Sequence, residues 1–77
     1  MEKRIMLSAI EDVKKFVKLA MPAPFDIELH SGKYTVDGKS IMGIFSLDLS
    51  MPVTVTVPES PEAAAFLNRI AFLAARD

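Results

Sequence analysis

The sequence predicts an α+β fold: an open-faced sandwich with the element order β-α-β-β-α-β-α, a four-stranded antiparallel sheet and three helices on one face. Three observations carry that expectation. Short segments such as Val53-Thr54-Val55-Thr56-Val57 alternate strictly between apolar and polar residues, the signature of a half-buried strand. Apolar residues elsewhere recur at helical spacing behind serines placed to cap a helix. The strands carry polar residues on one side, so helices are needed on the other side only.

The elements follow in order. Arg4 to Leu7 reads as a short strand with Ile5 and Leu7 on one face. Ser8-Ala9-Ile10-Glu11 has the spacing of a capping box, in which Ser8 accepts from the Glu11 N–H and the Glu11 carboxylate reaches back to the Ser8 N–H. Ile10, Val13, Phe16, Val17 and Ala20 then form an apolar helical stripe, with Lys14, Lys15 and Lys18 outside it. Pro22 and Pro24 end this helix. Phe25 to His30 alternates, Ser31-Gly32 is a turn signal, and Lys33 to Val36 returns as the second arm of a hairpin. Asp37-Gly38 marks another turn. Ser40 is placed to cap a short helix containing Ile41, Met42, Ile44, Phe45 and Leu47. Gly43 inside it costs up to ~1 kcal/mol relative to alanine, so this helix needs tertiary support. After the strand Val53 to Val57, Ser60-Pro61-Glu62 opens the last helix, with a buried stripe assigned to Leu67, Ile70, Ala71 and Ala74.

Bulk composition narrows the function. The 77 residues make one domain, 1–77. A chain of this size buries only about 60% of its unfolded surface, so its apolar faces must be used fully. The net charge of −1 gives no basic field for nucleic acid. There is no cysteine, which removes disulfides, thiolate metal sites and thiol catalysis. No stretch approaches the ~18 apolar residues of a membrane span, and Met1-Glu2-Lys3-Arg4 leads into no signal-peptide run. A cytoplasmic location is expected, with no cofactor, no metal and no membrane partner.

The segment Lys39-Ser40-Ile41-Met42-Gly43-Ile44-Phe45-Ser46-Leu47, continued by Thr35-Val36-Asp37 before it and Val53 to Val57 after it, resembles the regulatory-serine region of the HPr family. These are the histidine-containing phosphocarrier proteins of the sugar phosphotransferase system. Phe16 to Ala20 is similar to the end of that family's first helix, and about two-thirds of the chain falls into register. The resemblance implies the open-faced fold, no enzymatic activity of the chain's own, and protein partners: phosphotransferase-system components, a serine kinase and a sugar-responsive repressor. The family's acceptor motif, Gly-Leu-His-x-Arg-Pro-Ala, is absent. Counting back from Phe16, Ala9 stands at the histidine position, Glu11 at the arginine and Asp12 at the proline, and Asp48 replaces the family's usual glycine. In lacking the histidine and keeping the serine, the chain is similar to the catabolite-repression paralogue of HPr. The resemblance implies phosphorylation at Ser40 and partner docking at Lys39, Ile41, Met42 and Phe45.

An active phosphocarrier using another acceptor, His30 or a serine, is an alternative; but His30, the only histidine, lies beside a turn, far along the chain from the start of the first helix and with no neighbouring arginine in the sequence, which fits a polar strand end better. Ser8, Ser46 and Ser50 have no identifiable partners for a hydrolase triad. Lys14, Lys15 and Lys18 read as a solvated face or as a surface for an acidic partner. Met42, Met51 and Phe72 are more apolar residues than a small monomer easily hides, which predicts a weak homodimer. A self-associating protein that keeps only the fold is the remaining alternative.

Overall fold

Val53 and Val55 turn into the protein while Thr54 and Thr56 turn outward, and this alternation sets up the whole sheet. The computed structural model describes residues 1–75. It contains β1 (Glu2–Ile5), α1 (Ile10–Ala20), β2 (Glu28–Ser31), β3 (Tyr34–Asp37), α2 (Ile41–Phe45), β4 (Val53–Thr56), α3 (Pro61–Arg69) and a closing 3-10 turn, Ala71–Leu73. The strands form one antiparallel sheet in the order β1-β4-β2-β3. The three helices cover one face, so the expected open-faced sandwich is the fold observed.

Register follows from burial. Ile5 pairs with Val53, Leu29 with both Val55 and Val36, and His30 with both Thr54 and Thr35. A one-residue slip would move the valines of β4 to the polar side, so the apolar face fixes the register. The two-residue turn between β2 and β3 has Gly32 at φ 57°, a left-handed backbone that glycine adopts without a Cβ penalty. Phe66 of α3 meets Phe16 of α1 edge to face at 5.8 Å and Phe25 at 6.0 Å, joining the helical layer to the loop before β2.

Several boundaries and contacts depart from the sequence reading. The first strand is Glu2–Ile5 rather than Arg4 to Leu7, because its partner β4 begins at Val53 opposite Ile5; Leu7 remains buried beyond the ladder. The hairpin strands likewise start later than Phe25 and Lys33.

The capping box does not form. Ala9, not Ser8, is the N-cap of α1, with no side-chain cap bond. Its carbonyl accepts from Asp12 N at 3.0 Å and Val13 N at 3.3 Å. The burial of Val13, Phe16 and Ala20 fixes the phase of α1, which leaves Ser8 one residue too early and Ile10 63% exposed. Ile10 is therefore not part of the buried stripe.

The last helix keeps only part of its assigned stripe: Ile70 is buried and Leu67 packs partly buried against the core. Ala63, Phe66 and Ile70 are buried, followed by Leu73, whereas Ala71 and Ala74 are exposed. The α-helix stops at Arg69, and the tighter 3-10 turn brings Leu73 rather than Ala74 inward. The Ser40 and Ser60 caps do form: their hydroxyls accept from Gly43 N and Ala63 N, each at 3.1 Å. Among the described residues no helix is long and apolar enough to cross a membrane.

Candidate functional site

Two helix starts carry the candidate chemistry. At the first, Ala9 has an extended backbone (φ −127°, ψ 151°) and presents only a methyl group before the first turn of α1. Glu11 and Asp12 lie in that turn. Carboxylates there complement the positive end of the helix dipole by ~0.3–1 kcal/mol each, and they oppose an incoming phosphoryl group. Glu11 lies 3.8 Å from Lys14 in an exposed i,i+3 pair, worth little to stability in open solvent. The local charge balance is thus set by side chains of the helix itself. Ser8 does not occupy the N–H groups that the capping box would have assigned to it.

At the second, Ser40 is the N-cap of α2, with an extended backbone and its oxygen on Gly43 N. The glycine that weakens the helix intrinsically has a local use. A Cβ at Gly43 would lie 3.2 Å from Ser40 Oγ and 3.4 Å from Val36 Cβ, so the cap and β3 leave little room for a side chain. Ile44 points into the core and is fully buried, while Met42 is 78% exposed and Phe45 43% exposed. Ile41 lies at the edge of exposure. The inward Ile44 anchors α2, which puts Met42 and Phe45 on its outer surface. An apolar surface therefore flanks a serine hydroxyl whose present bond is to a backbone amide.

Lys39 takes a different place. Its Nζ donates to Ala23 O at 2.7 Å, so it ties the loop after α1 to the start of α2. Its own N–H donates to Asp37 Oδ1 at 2.9 Å, inside the turn that leads into the helix.

Sequence reasoning missed a hollow at the other end of α2. It has a volume of about 580 Å3 and is lined in part by Tyr34, Ser46, Asp48 and Met51. Tyr34 and Met51 are both exposed. Only the strand-to-loop geometry brings the β2–β3 turn beside the segment after α2. The signal available beforehand was Tyr34 itself, an aromatic residue two positions from Val36 and therefore on the same face of the hairpin as the core side chains. Asp48 belongs to the same rim; the Ser50 hydroxyl and then the Ser50 N–H donate to its Oδ1, at 2.5 and 3.1 Å, holding its carboxyl below the usual range.

His30 lies in β2, and its Nδ1 is 3.0 Å from Thr35 Oγ1 across the hairpin. It follows the fully buried Leu29 in an alternating strand, so it faces away from the helical layer. The structure does not bring it to the start of α1. Among the described residues no group of three or more His, Cys, Asp or Glu could hold a metal ion.

Known proteins share the sequence family and the fold. The family model of the HPr component of the phosphotransferase system, described by its phosphorylation site, matches residues 12–76. The crystal structure of a phosphocarrier protein HPr from Bacillus anthracis superposes with a TM-score of 0.74 at 28% identity, covering 97% of this chain and 96% of that one. Crh, the catabolite-repression protein of Bacillus subtilis, gives a TM-score of 0.64 at 28% identity over 88% of this chain and 78% of its own. An HPr from Thermoanaerobacter tengcongensis, at 24% identity and a TM-score of 0.71 over 91% and 90% of the two chains, shares the fold. No curated protein sequence matches the chain. With its open-faced sandwich and a family match over most of its length, the chain belongs to the HPr family of the phosphotransferase system.

Proposed function

We propose that this chain is a regulatory, protein-binding member of the HPr family that carries no phosphate on histidine. The observation that supports this most directly is Ala9 at the N-cap of α1, a methyl group where the family's counting places the acceptor imidazole. Glu11 and Asp12 in the next turn add negative charge where the family uses an arginine.

In this reading Ser40 is the regulated residue. Phosphorylation by an HPr-type kinase adds about −1.5 to −2 charges and three acceptor oxygens beside Met42 and Phe45. A partner such as a sugar-responsive repressor would read the phosphate through arginine and the patch through apolar contact. Weak self-association belongs to the same proposal, since Met42, Met51 and Phe72 are exposed and the Crh structure is described as a swapped dimer. Action in the cytoplasm is part of the same proposal.

The test is incubation with phosphoenolpyruvate and Enzyme I, followed by intact-mass measurement. The unmodified protein should gain no phosphate, and a rapid gain of one phosphate would overturn the reading. Restoring transfer should need at least Ala9→His together with Glu11→Arg. In parallel, incubation with an HPr kinase should add one phosphate that maps to Ser40.

A second reading, phosphotransfer through His30, has one observation in its favour: the imidazole is accessible on the sheet's outer face. Its direct strand partners are Thr35 and Thr54, both uncharged, and the cation in that row, Arg4, lies one strand further out opposite Thr54. Phosphate mapped to His30 in the same experiment would establish it.

A further inference from the structure

The outer edge of β1 is closed by the chain's own C-terminal segment, and the closure has the form of a ligand in a binding site. After α3 ends, the 3-10 turn Ala71–Leu73 carries the chain back along β1. Met6 N donates to Leu73 O at 2.8 Å and Ala75 N donates to Arg4 O at 3.0 Å. Ala74 forms an antiparallel bridge to Ile5. Leu73 is the anchor, 5% exposed in the core, while the neighbouring Phe72 is 58% exposed. The segment is held by two main-chain hydrogen bonds and one buried side chain, with small residues following that anchor.

From this we infer that the β1 edge is a strand-accepting site masked by residues 71–75, and that an extended segment of a partner protein can take their place. The masking segment defines what fits. The partner would run antiparallel to β1, donate to Arg4 O and accept from Met6 N. It would bury a leucine-sized side chain where Leu73 sits and carry a small residue opposite Ile5. Addition of a strand to a sheet edge is a general mode of peptide recognition, with main-chain bonds giving affinity and alternate side chains giving selectivity. An unmasked edge is also a liability for aggregation, which explains why a covering segment is kept in place. A tethered strand competes at an effective concentration in the millimolar range, so an outside segment binds the closed protein weakly. This inference is independent of Ser40 and of the missing histidine.

The experiment uses the full chain and a synthetic capped peptide, Ile-Ala-Phe-Leu-Ala-Ala, which copies residues 70–75. A second peptide with aspartate in place of the leucine is the control. Two variants open the site. Leu73→Asp removes the anchor. Ala75→Pro removes the donor to Arg4 O at the surface, and Ala74 already has a backbone (φ −54°, ψ 132°) that tolerates a following proline. If Leu73→Asp does not fold, Ala75→Pro alone decides the question.

Hydrogen exchange at the Met6 amide should speed up at least tenfold in the opened variants and return toward the wild-type rate when the copy peptide is added. The copy peptide should bind the opened variants at least tenfold more tightly than wild type, and the control peptide should bind neither. Phe72→Ala should keep the wild-type Met6 exchange rate, because its side chain is 58% exposed and its backbone makes neither of the two bonds to β1. Met6 exchange unchanged in both variants would overturn the inference, as would faster exchange that the copy peptide does not reverse. Sedimentation showing that the opened variants fill the edge by dimerising would also overturn it, in favour of a second copy as the occupant.

Discussion

Gly38 offers the sharpest test of how the core positions the start of α2. It is buried, it lies two residues before Ser40, and its N–H donates to Ile27 O at 2.7 Å. A Cβ added there would lie 2.5 Å from Ile27 Cγ2 and 3.1 Å from both Ile27 Cβ and Ile27 O. Carbon atoms in contact prefer about 3.5–4.0 Å, so the new methyl would sit about 1 Å too close to Ile27. Ile27 is 1% exposed and β-branched, so it has few rotamers and no free space into which to move. Overpacking of this kind costs about 1–3 kcal/mol. The loss of freedom in the unfolded chain returns about 0.4–1 kcal/mol to an alanine variant, which leaves Gly38→Ala destabilised. Against a total stability of about 4–12 kcal/mol for a chain of this length, a net loss near 1–2 kcal/mol lowers the melting temperature by about 5–15 °C.

A double-mutant cycle assigns the cause. Ile27→Ala alone should cost about 2–5 kcal/mol through the cavity it leaves. In the double variant the methyl added at position 38 enters that cavity, so the combined loss should fall short of the sum by about 1–2 kcal/mol. Urea denaturation of the four proteins measures each term. Additivity within ~0.5 kcal/mol, or a Gly38→Ala protein as stable as wild type, would refute the steric account.

Further outcomes are expected elsewhere. Ser40→Ala should lose about 0.5–2 kcal/mol with the cap, whereas Ser40→Asp should keep most of it; equal losses in thermal melts would show that the Gly43 bond does not stabilise α2. Phe66→Ala should cost about 3–5 kcal/mol, since the ring contacts both Phe16 and Phe25, and a smaller loss in urea melts would show that the two rings repack. Carbon-detected titration should place the Asp48 carboxyl below the ordinary aspartate range, chiefly because the Ser50 hydroxyl and then its N–H donate to the ionised form. Because the folded value is the lower one, this favours the fold above the unfolded value and is lost as pH falls through the folded one; Ser50→Ala should move the midpoint back up. Met42→Ala should weaken any partner that docks beside Ser40 while leaving stability nearly unchanged, because the side chain is 78% exposed; pull-down and melting measured together check both halves.

The element order, the sheet and the serine caps of α2 and α3 are legible in the sequence alone. Alternation in Val53 to Val57 requires one buried face, and Ser60-Pro61 permits little other than a helix start. The resemblance over Lys39 to Leu47 likewise pointed to the right family, because a short helix with an internal glycine and a serine cap is an uncommon pattern. Tertiary packing settles what local patterns leave degenerate. Ser8 and Ala9 both suit the start of α1; burial of Val13, Phe16 and Ala20 selects Ala9 and exposes Ile10. In α3 the stripe through Leu67, Ala71 and Ala74 and the stripe through Ala63, Phe66 and Leu73 meet at Ile70, and the large ring of Phe66 between Phe16 and Phe25 selects the one that ends in Leu73. The bond from Lys39 to Ala23 and the closure of β1 by residues 73–75 join segments distant along the chain. No local propensity encodes such contacts. They arise because a chain of this size has to satisfy its edges and loop carbonyls with whatever groups the packed core brings within reach.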